Sequence, residues 1–146
     1  MSDHRHNAIA YAAIILERSD GAVLFMERKD TGFADGLLAL PGGLADPGEL
    51  LIEACARETK EEIATDVATA DLRTAYVSQV LGETGVPVIG WYFHTTAWSG
   101  VPSNAEPDQC ARLAWLDPAD LPADVESTDA TAVTAWHRGN TPVRWA

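Results

Sequence analysis

Glu58, Glu61 and Glu62 stand at i, i+3 and i+4 in a stretch where Leu51, Ala54 and Cys55 recur at helical spacing. On a helix the three acids share one face. Two carboxylates about 6 Å apart repel by roughly 3 kcal/mol at an effective dielectric of about 20. Three together tend to take up a proton or a cation. All-oxygen donors suit Mg²⁺ or Mn²⁺, and Mg²⁺ commonly takes one or two carboxylates together with waters and substrate phosphates. The competing reading is a solvated acidic face with Arg57 and Lys60 as its counter-charges.

The surroundings favour chemistry. Pro41 to Ile63 carries five glutamates and one aspartate against two basic residues. Pro41-Gly42-Gly43, just upstream, lets backbone come close to a ligand. Glycines beside a clustered-acid helix are hard to explain by solubility.

Gly43, five residues, Glu49, seven residues, then Arg57-Glu58-Thr59-Lys60-Glu61-Glu62 resembles the signature of the Nudix hydrolases, G-x5-E-x7-R-E-U-x-E-E-x-G-U. Every charged position and every spacing agrees. Thr59 and Thr65 stand where the pattern has aliphatic residues, and Ala64 stands in place of its glycine. Ala64 puts a left-handed helix end in doubt, because alanine adopts that conformation at a cost of about 1 kcal/mol.

The resemblance implies an α+β fold of the Nudix type, an α/β/α sandwich around a central mixed sheet. It also implies Mg²⁺-dependent hydrolysis, with Mn²⁺ as a substitute, of a nucleoside diphosphate joined to another group. Carried over residue by residue, Glu58 and Glu62 are metal ligands, with the Gly43 carbonyl as a third. Glu61 is a ligand or the base that orients the attacking water. Glu49 pairs with Arg57 and fixes the loop against the helix. Glu53 reads as a surface acid and Asp46 as a turn residue.

Outside the signature, Arg28 is the first choice as a phosphate partner, ahead of Lys29 and Lys60. The segment Asn104 to Cys110, followed by Trp115, resembles one in nucleotide-cleaning members, which makes Glu106 a further ligand or base. An aromatic face for the base is expected from Phe33, Tyr76, Trp91, Phe93 or Trp115. Some ADP-ribose-cleaving relatives carry a proline about fifteen residues past the signature. Here the nearest is Pro87, which lowers that substrate against a (deoxy)nucleoside triphosphate. A nucleotide-sensing domain without catalysis is the rival from another class, but such domains usually lose signature acids that this chain keeps.

These groups need elements to hold them. The chain has 146 residues, enough for one domain with a real core. Ala8 to Glu17 and Ala22 to Glu27 read as strands around the turn Ser19-Asp20-Gly21, forming a hairpin. Leu37 to Leu40 is a short apolar run. A helix starts near Leu50. Arg73 to Leu81 and Val86 to Trp98 form a second hairpin through Gly82-Glu83-Thr84-Gly85. Val101 to Gln109 is a loop and Leu113 to Leu116 a strand. Ser127 or Thr128 caps a last helix that runs to about His137.

The formal charge of −12 argues against non-specific binding to nucleic acid and suits a small phosphorylated ligand if a cation mediates. No apolar run is long enough to span a bilayer, no secretion signal is evident, and a cytoplasmic setting is expected. Cys55 and Cys110 predict reduced thiols rather than a disulfide framework. His4 and His6 lie in an expected flexible terminus, residues 1–7, and receive no role. The tail Thr141 to Ala146, with Val143 and Trp145, is suited to packing on its own domain or on the partner of a homodimer.

Overall fold

The computed structural model describes residues 7–140 of the chain. The expectations for residues 1–6, His4 and His6 included, and for the 141–146 tail lie outside them.

Among the described residues, seven strands and two α-helices follow in the order β1 (Ile9–Leu16), β2 (Val23–Arg28), β3 (Leu38–Ala39), β4 (Gly42–Leu44), α1 (Leu51–Ile63), β5 (Arg73–Leu81), β6 (Pro87–Thr95), β7 (Cys110–Leu116) and α2 (Ser127–His137), with a single 3-10 turn at Thr69–Asp71 before β5. A mixed four-stranded sheet has the order β4-β1-β6-β5, and a three-stranded sheet the order β3-β2-β7. β1 runs parallel to β6 and antiparallel to β4, and β5 and β6 form the expected hairpin.

The central strand shows why two helices are needed. Ala13 and Ile15 join the core cluster that contains Ala132, Val133 and Ala135 of α2. Ala12, Ile14 and Leu16 join the cluster that contains Ala54, Cys55 and Ile63 of α1. Alternate side chains of a strand point to opposite faces, so β1 is apolar on both and each helix covers one. This is the α/β/α sandwich with its mixed central sheet.

The opening hairpin needs correction. Arg18 N donates to Ala22 O at 2.8 Å, which closes the turn, and Glu17 meets Val23 in a single bridge. The strands then part into different sheets. Both edges of β1 are taken by β4 and β6, and both edges of β2 by β3 and β7, so no ladder between β1 and β2 can extend.

Two caps also differ from expectation. Glu126, not Ser127 or Thr128, caps α2; its carboxylate accepts from Thr128 N at 3.1 Å and Asp129 N at 2.9 Å. Ala64 does end α1 in the left-handed conformation, at φ 54° and ψ 36°. The buried threonines of the signature settle their hydroxyls on the backbone: Thr59 Oγ1 donates to Cys55 O at 2.7 Å and Thr65 Oγ1 to Ile63 O at 3.0 Å. Both cysteines are free and buried. Among the described residues no helix is long and apolar enough to cross a membrane.

Candidate active site

α1 begins after the turn at Asp46 to Gly48 and lies against β1 and β4. β4 brings its glycines under the middle of the helix. A β-carbon on Gly43 would sit 2.6 Å from Glu58 Oε1, so any other residue would push that carboxylate aside. Gly42 N donates to Glu62 Oε2 at 2.8 Å. The acids of the helix face therefore meet glycine backbone, as close approach requires.

The acid cluster divides in two. One part gathers on Arg57, whose Nε and Nη2 hold Glu49 at 2.8 and 3.0 Å. Its Nη1 donates to Glu58 Oε1 at 3.0 Å and Glu61 Oε2 at 3.1 Å, and Nη2 also donates to Leu44 O at 3.1 Å. The guanidinium holds Glu49 far below the usual carboxylate range, at about 2, with help from Asp46 N. Lys60 turns away to Asp66 at 3.0 Å. Of the two expected counter-charges, Arg57 alone serves the cluster.

The other part faces a cavity of about 380 Å³. Glu58, Glu62 and Glu106 line it together with Arg28, Thr31, Leu40, Gly42, Gly43 and Gln109. Glu62 has no cation bonded to it among the described residues. Burial above all, then the charges of Glu58 and Glu106, push it up to about 8 against the bond from Gly42 N. Burial also raises Glu58, although Arg57 opposes this. A somewhat larger depression of about 410 Å³ lies along α2 between Tyr76 and Arg138, but no carboxylate lines it.

Arg28 stands at the cavity wall in a fixed pose. Its Nε donates to Phe33 O at 2.6 Å and its Nη2 to Thr31 Oγ1 at 2.9 Å. Asp35 in turn holds that loop, accepting from Thr31 N and Gly32 N at 3.0 Å each. Glu106 comes from the loop before β7, where Asn104 accepts from Glu106 N and donates to Cys110 O.

Of the residues singled out in the sequence, Arg28, Gly43, Glu58, Glu62 and Glu106 meet at this cavity. Glu49, Arg57 and Glu61 form the ion-pair group beside it, with the Glu61 side chain 51% exposed. Among the aromatics, Tyr76 and Phe93 are core residues. Trp91 bonds Thr74 and stacks on Phe93. Trp115 stacks on Trp98 under Arg18. Phe33 is different: it is 66% exposed, and the Arg28 guanidinium lies 5.5 Å from its ring centre. Thr31, Leu40 and Gln109 were not foreseen at the cavity, and no local pattern marks them.

Among the described residues no three acid, histidine or cysteine side chains converge closely enough to cage a metal as they stand. The donor set nevertheless fits a hard divalent ion. It offers oxygen ligands only, a carboxylate raised by burial and by its acidic neighbours, and glycine backbone within reach. Glu58 Oε1 is shared with Arg57, so Glu58 would have to loosen that bond to contribute fully.

A family model described as NUDIX domain matches residues 6–136. The fold is similar to that of a MutT NUDIX hydrolase from Burkholderia pseudomallei, at 25% identity over 88% of this chain and 98% of that one, with a TM-score of 0.78. It is also similar to the solution structure of the E. coli ORF135 protein, at 23% identity over 91% of each chain and a TM-score of 0.77. An ADP-ribose pyrophosphatase of Methanocaldococcus jannaschii is 44% identical over 57 residues, which are 39% of this chain and 32% of that protein's length.

Proposed function

This chain belongs to the Nudix family, and from that premise we propose that it is a Mg²⁺- or Mn²⁺-dependent pyrophosphohydrolase cleaving a (deoxy)nucleoside triphosphate. The observation that carries the reading is the meeting of Glu106 with Glu58 and Glu62 in one cavity beside Arg28. In hydrolysis of a phosphoanhydride, water adds to phosphorus, the bridging P–O bond breaks and the leaving phosphate carries away the electron pair.

Glu58, Glu62 and the Gly43 carbonyl would hold the cation, with Glu106 adding a fourth oxygen donor from the facing loop. When bound, the cation supplies positive charge against the diphosphate oxygens. Arg28 has Nε and Nη2 engaged and offers Nη1 to the same anion. The base that takes the proton from the attacking water is one of Glu58, Glu61, Glu62 and Glu106. The cavity favours those that line it, because Glu61 is turned to Arg57. Phe33, exposed over Arg28, is the aromatic platform for the nucleobase.

A second reading is cleavage of ADP-ribose or a nucleotide sugar. The 44% identity over 57 residues to an ADP-ribose pyrophosphatase supports it. The sensing alternative loses ground because Glu49, Glu58, Glu61 and Glu62 are all retained.

The test is a panel of (deoxy)nucleoside triphosphates and ADP-ribose with Mg²⁺ or Mn²⁺, with pyrophosphate, phosphate and monophosphate products quantified separately. Pyrophosphate release from a triphosphate is the expected result. Exclusive cleavage of ADP-ribose selects the second reading. Absence of turnover with either metal, or full turnover after chelation, overturns the proposal.

A further inference from the structure

Asp129, in the first turn of α2, is 8% exposed and belongs to none of the groups described so far. An acid there is expected to face solvent and favour the helix dipole. Here it turns inward. Its Oδ2 accepts from Leu40 N at 2.9 Å and its Oδ1 from the Tyr92 hydroxyl at 3.0 Å. The Tyr92 hydroxyl also meets the Tyr11 hydroxyl, which must donate because the Tyr92 proton is already committed. Ser78 Oγ, buried and without a hydrogen-bond partner among the described residues, adjoins that end of the relay.

The bond to Leu40 completes a ladder that backbone alone cannot. Leu38 N donates to Asp124 O at 2.8 Å, and Glu126 N to Leu38 O at 2.7 Å, a parallel bridge centred on Val125. The next rung of a parallel ladder would run from Leu40 N to Glu126 O. Glu126 is the cap of α2, and its carbonyl already accepts from Ala130 N at 2.9 Å. The Asp129 carboxylate takes the missing rung.

Two positions further along the chain, at the start of β4, Gly42 N meets Glu62. Pro41 between them has no amide to donate, and its carbonyl accepts from Ile14 N at 3.0 Å. Leu40 and Gly42 are therefore each held by a carboxylate, one from each helix, on a segment that lines the cavity.

We propose that Asp129 is a positioning residue: from α2 it holds the Leu40 amide, and through Leu40 it sets where Gly42 and Gly43 meet Glu62 and Glu58. The proposal rests on reading those acids as the metal-binding wall. It predicts that function follows the bond to Leu40 rather than the charge of Asp129. Asparagine preserves that bond. Its carbonyl faces Leu40 N, its amide donates to the Tyr92 hydroxyl, and the hydroxyl relay reverses towards Ser78.

The experiment compares Asp129→Ala, Asp129→Asn and Tyr92→Phe. For each, the Gly42 and Gly43 amide resonances of the metal-free protein, the Mn²⁺ affinity, and kcat and KM below the melting temperature are measured. Asp129→Ala is expected to shift both glycine amides, weaken Mn²⁺ about tenfold and lower kcat at least tenfold with little change in KM. Asp129→Asn and Tyr92→Phe should stay within about threefold of the parent in Mn²⁺ affinity and kcat, even where the melting temperature falls. If Asp129→Ala does not fold, Asp129→Ser, whose hydroxyl is too short to reach Leu40, takes its place. Unshifted glycine amides and unchanged Mn²⁺ affinity in the folded variant would reduce Asp129 to a stability residue and overturn the proposal. The amide and Mn²⁺ readouts need no substrate, so absence of nucleotide turnover in the parent defeats the proposed activity without deciding this inference.

Discussion

Arg57 grips Glu49 with two parallel hydrogen bonds of 2.8 and 3.0 Å while its remaining nitrogen reaches Glu58 and Glu61. A bidentate guanidinium–carboxylate pair is directional as well as strong. It holds the guanidinium at one place relative to the helix, and with it the two acids that share Nη1. Glu49→Ala is expected to lower the melting temperature and, by freeing Arg57 to settle on Glu58, the rate as well. Thermal melts and kcat measured together check this. An unchanged melting temperature with a rate loss as large as that of Glu62→Gln would place Glu49 in the chemistry itself.

Glu62→Gln should separate stability from activity. Glutamine keeps an oxygen for Gly42 N but cannot ionise to receive a cation beside Glu58 and Glu106. The metal-free protein is expected to melt at the same temperature or higher. Metal affinity should fall and kcat drop by roughly a hundredfold or more, about 3 kcal/mol of lost transition-state stabilisation. The measurement is kcat across a Mg²⁺ titration, alongside melts without metal. Near-parental values would mean that Glu62 serves only to hold the Gly42 amide.

Ala64→Gly is expected to stabilise the fold by about 0.5–1 kcal/mol. The left-handed conformation at φ 54° strains alanine, and glycine removes the strain while giving back part of the gain as chain entropy in the unfolded state. Chemical denaturation reads the difference, and kcat should not change.

Asp129 predicts a pH dependence. Burial, then the charge of Glu126, raise it to about 6 against the bonds from Leu40 and Tyr92 and the charge of Arg28; Tyr11 lies one hydroxyl further away. The folded state thus holds a proton that the unfolded chain has already released between about pH 4 and 6. The stability from this group is fully present below pH 3.8, its ordinary value, and is lost as pH rises through about 6. Denaturation of the parent and of Asp129→Asn across this range should show the slope shrinking in the variant.

What was legible in the sequence was local. The periodicity of Leu51 to Ile63 and the turn of Gly82 to Gly85 marked α1 and the β5–β6 hairpin, because their determinants sit within a few residues of one another. The separation of β1 from β2 was hidden, since a tight turn predicts a ladder, whereas the partners that prevent it come from β4, β6, β3 and β7. Glu126 as a cap went unseen because glutamate is not a favoured capping residue and shorter hydroxyls stood beside it. Asp129 gave no signal either: an acid in a first helical turn looks like a solvated one, and its inward bond depends on Leu40, 89 positions away. The spacing of the signature marked out Arg57, Glu58, Glu61 and Glu62, but it could not foretell that one arginine would be shared among three glutamates.

The parallel pairing of β1 with β6 has a consequence for how the chain comes into being. Tyr11 and Tyr92 touch across 81 positions of sequence, and the whole of β1 lies in register with β6. Closing so long a loop must precede the contacts that reward it, which slows the search for the native topology. During synthesis from the N-terminus, β1 emerges with apolar side chains on both faces long before β6 exists to shield one of its edges. For that interval the newborn chain presents an unpaired strand that is apolar on both faces, the kind of edge on which aggregation starts.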